Sequence, residues 1–96
     1  MRLSSKERKT IRDTVFTFDP KAKIYLYGSR ADKQRKGGDI DLLILSKKIN
    51  FSAKITLLVS LKEKIGNQKI DMTIKDPKSY KDDPFVLQIL NHAIKL

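Results

Sequence analysis

Three aspartates carry the chemistry that this sequence offers. Asp39 and Asp41 open the apolar run "DIDLLIL", and Asp71 stands inside "KIDMTI". Side chains of a strand alternate between faces, so Asp39 and Asp41 point one way while Ile40 and Leu42 point the other. Neighbouring carboxylates repel, and their burial is costly unless one takes up a proton. A divalent cation removes the conflict, and an all-oxygen donor set suits Mg²⁺ or Mn²⁺ better than zinc. If the strand of Asp71 pairs with that of Asp41, the three carboxylates share one site. Such a set can hold two metal ions about 3.5–4 Å apart, the arrangement used for in-line phosphoryl transfer.

Gly28-Ser29 supplies the complementary half. A glycine at a strand end lets the backbone approach a phosphate, and amides at a following helix start can bind it. Arg30 adds a charged fork, and Lys33, Arg35 and Lys36 raise the positive potential of the loop. Plainer readings exist for each part. An Asp beside Gly37-Gly38 is also turn chemistry, and loop cations are often only solvated. His92 has no evident partner and reads as surface or core rim, not as a ligand. Ser52 and Thr56 lack the neighbouring pattern of a nucleophile. Neither GxxxxGK[ST] nor GxGxxG occurs, so the P-loop and dinucleotide-fold routes are absent.

The elements that must position these residues follow from caps and periodicity. Ser4 and Glu7 form a capping box, and Ile11, Val15 and Phe18 follow at helical spacing, so a helix spans Ser5–Phe18 and stops at Asp19-Pro20. Ala22–Tyr27 alternates as a strand, with Ile24 and Leu26 on one face and Tyr25 and Tyr27 on the other. A short helix opens at Ser29. Asp39–Leu45 is the second strand, apolar on both faces in its later part, as for a central strand. Phe51–Ile65 is a helix running through Ile55, Leu58, Val59 and Lys62 and closed by Gly66. Lys69–Ile74 is the third strand. Asp83-Pro84 opens a last helix, which Phe85, Ile89, Ala93 and Leu96 carry to residue 96. The sum is one domain over residues 1–96 of the α/β (α+β) class: a small mixed β-sheet with helices packed on it.

Composition narrows the partners. The 96 residues suffice for one modest core, and 40% of them are apolar. There is no cysteine, which excludes disulfides and thiolate metal sites. No apolar run approaches the ~20 residues that span a bilayer, and the basic N-terminus lacks the apolar stretch of a signal peptide; a cytoplasmic protein without membrane contact is expected. Net charge is +10, from 21 Lys and Arg against 11 acids. That favours anionic partners such as nucleotides, or is a lysine-rich solvated surface. Lysine outnumbers arginine and the aromatics form no stacking series, so only weak or nonspecific nucleic-acid binding is expected.

Taken together, "GSRADKQRKGGDIDL" (residues 28–42) and "KIDMTI" resemble the minimal nucleotidyltransferases of the polymerase-beta-like superfamily. The resemblance covers nearly the whole chain and implies the nucleotidyltransferase fold. It implies that Asp39 and Asp41 are metal ligands. Asp71 would be a third ligand that also activates the attacking hydroxyl, and Gly28 and Ser29 would bind triphosphate. It implies Mg²⁺ or Mn²⁺ as cofactor, ATP as substrate, and transfer of AMP to a hydroxyl with release of pyrophosphate. Two departures stand out: Asp32-Lys33 follows Ala31 where Arg-Gly is common, and Gly38 replaces the usual Ser before the first aspartate. Larger relatives carry extra domains for their acceptors; here the acceptor is expected on another protein. Stand-alone proteins of this type are similar to antitoxins that adenylylate a HEPN ribonuclease toxin, as part of a homo- or hetero-oligomer. The alternatives are an inactive module that neutralises its partner by contact and a basic nucleic-acid-binding domain.

Overall fold

The computed structural model describes residues 3–31 and 39–96. Helix α1 spans Ser5–Phe18, β1 Lys23–Tyr27, β2 Ile40–Leu45, α2 Phe51–Ile65, β3 Ile70–Lys75, α3 Pro84–Leu90 and β4 Ile94–Lys95. Short 3₁₀ turns occupy Gly28–Ala31 and Tyr80–Asp82. The strands form one mixed sheet in the order β3-β2-β1-β4. β2 runs parallel to β3 and antiparallel to β1, and β4 is antiparallel to β1. None of the helices among the described residues is long and apolar enough to cross a membrane.

Local chemistry explains the helix bounds. Ser4 Oγ accepts from the Glu7 amide while the Glu7 carboxylate accepts from the Ser4 amide, both at 3.0 Å. This reciprocal pair satisfies amides that would otherwise be orphaned at the start of α1. Asn50 caps α2 through the Ala53 amide, and Asp83 caps α3 through the Phe85 amide with Pro84 at the first helical position.

The two sheet faces differ. One carries Ile24, Leu26, Ile40, Leu42, Ile44, Ile70 and Met72, packed against Ile11 and Val15 of α1 and Leu57 and Leu61 of α2. On the other, Leu43 and Leu45 pack under Val86 and Ile89 of α3, with Tyr25 and Tyr27 at the margin. β2 is therefore covered on both sides over its later length, as its sequence requires.

Three expectations are corrected. The last helix stops at Leu90, and the chain returns as β4 on the open edge of β1. Helical periodicity would place Ala93 and Leu96 on one face, but Ala93 packs with the α3 cluster and Leu96 with the α1/α2 cluster. The backbone of β1 needs partners on its second side, and Leu96 donates to the Ile24 carbonyl at 2.9 Å. Within α2, Leu57 and Leu61 are the buried positions, while Ile55 and Val59 are about half exposed. Asp39 lies just before β2, and β3 runs one residue later at each end than its pattern indicated.

A buried polar joint locks the end of α1 to the end of β2. Asp19 is 3% exposed, and its carboxylate accepts from Ser46 Oγ at 2.6 Å and from the Lys21 amide at 3.0 Å. Ser46 Oγ in turn accepts from the Ile49 amide at 3.1 Å and the Lys48 amide at 3.2 Å. The Ser46 hydrogen bond is the main reason that Asp19 titrates below the usual carboxylate range, against the opposing effect of burial. A depressed folded-state pKa means that the joint stabilises the fold above the unfolded pKa and weakens as pH falls through the folded value. Ser46→Ala is expected to cost about 2 kcal/mol, because it strands a buried carboxylate. Urea melts at pH 7 check this, and the difference between wild type and variant should shrink below about pH 3–4.

Candidate active site

The parallel register of β2 and β3 sets Asp41 directly opposite Asp71, and the antiparallel register of β1 and β2 sets Tyr27 on the other side of Asp41. Cross-strand neighbours project to the same face, so Tyr27, Asp41 and Asp71 form one row. It lies beyond the apolar cover that α3 gives to Leu43 and Leu45.

The electrostatics of the row are unfavourable as it stands. The Asp41 carboxyl is pushed above the usual range, first by burial, then by the negative charges of Asp71 and Asp39 and by a hydrogen bond with Asp71. Lys69 offsets part of this. The Asp39 carboxylate pairs with Lys69 Nζ at 3.5 Å. Among the described residues, no three His, Cys, Asp or Glu side chains are gathered as a ready metal cage. Asp41 and Asp71 meet, and Asp39 stands beside them facing a lysine.

Gly28 approaches this row from the end of β1. Its φ is +73°, a left-handed conformation that glycine adopts without cost. A Cβ built there would collide with Asp41 Oδ2 and stand 3.2 Å from its Cγ. The turn backbone therefore lies against the carboxylate, where only a glycine fits. Ser29 and Arg30 follow in the 3₁₀ turn. Ser29 is placed by its backbone, and its side chain lies outside the described atoms. Arg30 is placed differently from the simple phosphate fork expected of it. Its Nη2 donates to Gln68 Oε1 at 2.8 Å, and Gln68 Nε2 donates to Glu7 Oε2 at 2.6 Å. This chain ties the turn to the capping box of α1. Lys33, Arg35, Lys36 and the Gly37-Gly38 pair lie outside the described residues.

The family model of polymerase beta nucleotidyltransferases matches residues 9–96. The chain belongs to that family. No curated protein matches it. The small α+β fold agrees with the nucleotidyltransferase fold. The activity that family membership supports is nucleotide transfer, for which the family generally uses a nucleoside triphosphate and a divalent metal.

The residues of this nucleotidyltransferase fit such a cation. The donors are all carboxylate oxygens, the set that hard cations prefer. Burial first, and then the charges of Asp71 and Asp39, push the Asp41 carboxyl up, and a bound dication would offset both. Asp41 and Asp71 would hold it, with Asp39 joining on release from Lys69.

Two neighbours of the site went unremarked in the sequence. Lys69 precedes Asp71 by two residues and so shares its face, a period-2 signal that was available. Tyr27 was legible as a strand residue facing away from the main core, but its place beside Asp41 depends on the pairing register.

Proposed function

We propose that this nucleotidyltransferase moves AMP from ATP to a hydroxyl on a partner protein, as a minimal nucleotidyltransferase antitoxin acting on a HEPN ribonuclease toxin. The observation that carries the transferase part is the Asp41–Asp71 register with Gly28 against Asp41. Support for a protein acceptor comes from the surface. Phe51, Ile55 and Val59 recur at four-residue spacing along α2, each more than half exposed, and such apolar stripes are features of protein-binding faces.

In this reading the backbone amides after Gly28 receive the triphosphate. A divalent cation, held by the aspartates, would supply positive charge to the phosphoryl oxygens. Asp71 accepts the proton of the acceptor hydroxyl through its carboxylate. The hydroxyl oxygen forms a bond to the α-phosphorus, and the bond from that phosphorus to the bridging oxygen breaks, releasing pyrophosphate. A tyrosine hydroxyl, with an ordinary pKa of about 10, is a feasible acceptor when a carboxylate takes its proton in step.

Intact-mass measurement tests this reading. Incubation with the protein of the adjacent reading frame, Mg²⁺ and ATP is expected to add AMP units of about 329 Da each to that protein. The Asp39→Asn/Asp41→Asn double variant is expected to add none. An unchanged partner mass combined with blocked partner activity would establish inhibition by contact instead. Sub-micromolar, steeply salt-dependent binding to one RNA would favour the nucleic-acid alternative.

Binding of the nucleotide has its own readout. Mg²⁺·ATP at one hundred times its Kd should stabilise the folded chain by about 2.7 kcal/mol, a rise of about 10–20 °C in Tm for a domain of this size. Absence of any rise with millimolar nucleoside triphosphates would contradict the transferase reading.

A further inference from the structure

A cleft of about 600 Å³ opens beside the aspartate row, between the 28–31 turn and α3. Tyr27, Gly28 and Ala31 line one side. Phe85, Gln88, Ile89 and His92 line the other, and their spacing places them in one stripe along α3 and the turn after it. Its volume lies within the range typical of small-molecule sites.

The chemistry of the lining is specific. Ile89 is 8% exposed and anchors α3 to the sheet, whereas Phe85 is 54% exposed and has its ring uncovered. Gln88 and His92 are exposed polar side chains on the same stripe. An aromatic face, an apolar floor and an amide that both donates and accepts suit a flat heteroaromatic ring with mixed hydrogen-bonding edges. Gln in particular can pair in two bonds with an adenine edge. The cleft is also continuous with the site. Gly28 lines it and touches Asp41, while Tyr27 lines it and is the register partner of Asp41. A nucleotide whose α-phosphate lies at Asp41 thus has the cleft within reach of its nucleoside.

We propose that this cleft is the nucleobase subsite, with Phe85 stacking on the base and Gln88 reading its edge. The inference rests on the transferase reading above and assigns its donor specificity to α3. Stacking on Phe85 holds any base, since every base presents a π face. Gln88 then discriminates among bases by its hydrogen bonds.

Calorimetric titration with Mg²⁺·ATP and Mg²⁺·tripolyphosphate, in the absence of acceptor, tests the assignment. Wild type is expected to bind ATP about tenfold or more tighter than tripolyphosphate, the margin a stacked base contributes. Phe85→Ala should remove most of that margin and leave tripolyphosphate affinity unchanged, which also shows that the variant is folded. Gln88→Ala should retain ATP binding but narrow the preference among ATP, GTP, CTP and UTP. Equal affinity of wild type for ATP and tripolyphosphate would overturn the base subsite while leaving phosphate binding intact. So would a Phe85→Ala variant that keeps the full margin. Failure of wild type to bind either ligand would overturn the transferase reading, and the subsite with it.

Discussion

Asp41→Asn is expected to lose transfer activity by at least about a thousandfold and yet to melt higher than wild type in EDTA. The two effects have one cause. Asp41 is the carboxylate that burial and its acidic neighbours most oppose. Its pairing with Asp71 makes the fold hold two like charges side by side. Asparagine keeps the shape and removes one charge, so the metal-free protein should gain about 1 kcal/mol, the scale of typical site-relieving substitutions. The sign follows from linkage: a carboxylate whose pKa is raised by folding opposes folding once pH exceeds its unfolded value, and the amide does not. In the proposed transferase reading the same change also removes a ligand of the cation. Cation stabilisation of the developing phosphoryl charge is worth several kcal/mol, and each ~1.4 kcal/mol is a factor of ten in rate. Thermal melts in EDTA and single-turnover transfer rates in Mg²⁺ are the paired measurements. A variant that loses both stability and activity would mean that Asp41 serves the fold and not the metal.

Gly28→Ala is expected to cost about 1–2 kcal/mol of stability from its left-handed backbone alone, and to reduce transfer about a hundredfold or more. The added methyl meets the Asp41 carboxylate. Either the turn or the aspartate must move, and a shift of about 1 Å at a reacting centre has that scale of effect on rate. Gly66 is the control. Its φ of +92° is also left-handed, but a Cβ there meets nothing within 4 Å. Gly66→Ala should therefore show a comparable stability cost and near-normal transfer. Urea melts separate strain from collision, and rates per folded molecule isolate the effect on the site.

The strand of Asp41 and the helix ends were legible in the sequence because they depend on short-range rules. Period-2 alternation puts Asp41 on the face of β2 opposite Ile40 and Leu42 wherever that strand lies. Ser4 with Glu7, Gly66, and Asp83 with Pro84 mark helix ends through hydrogen bonds and backbone preferences that act within about one turn. For α1 and α2 these signals led to the observed bounds. The combination of Gly-Ser, Asp-x-Asp and a later Asp carried the resemblance to the polymerase-beta-like superfamily, and the match over residues 9–96 supports that superfamily.

Tertiary structure decided what local rules leave open. Parallel pairing of β2 with β3, and the register that sets Asp41 opposite Asp71, depend on which strands bury their apolar faces together. The same holds for β4: residues 91–96 are compatible with a continued helix until the unpaired edge of β1 is present to take them. Arg30 reads as a phosphate ligand in isolation, and only the fold brings Gln68, 38 residues away, to its guanidinium. On α2 the apolar residues outnumber the buried positions, so the helix alone does not say which face is core. Packing against α1 and the sheet buries Leu57 and Leu61 and leaves Ile55 and Val59 outside. The physical reason is range. Capping and alternation act between residues a few positions apart, whereas pairing, register and burial are settled only when distant segments compete for the same faces and edges.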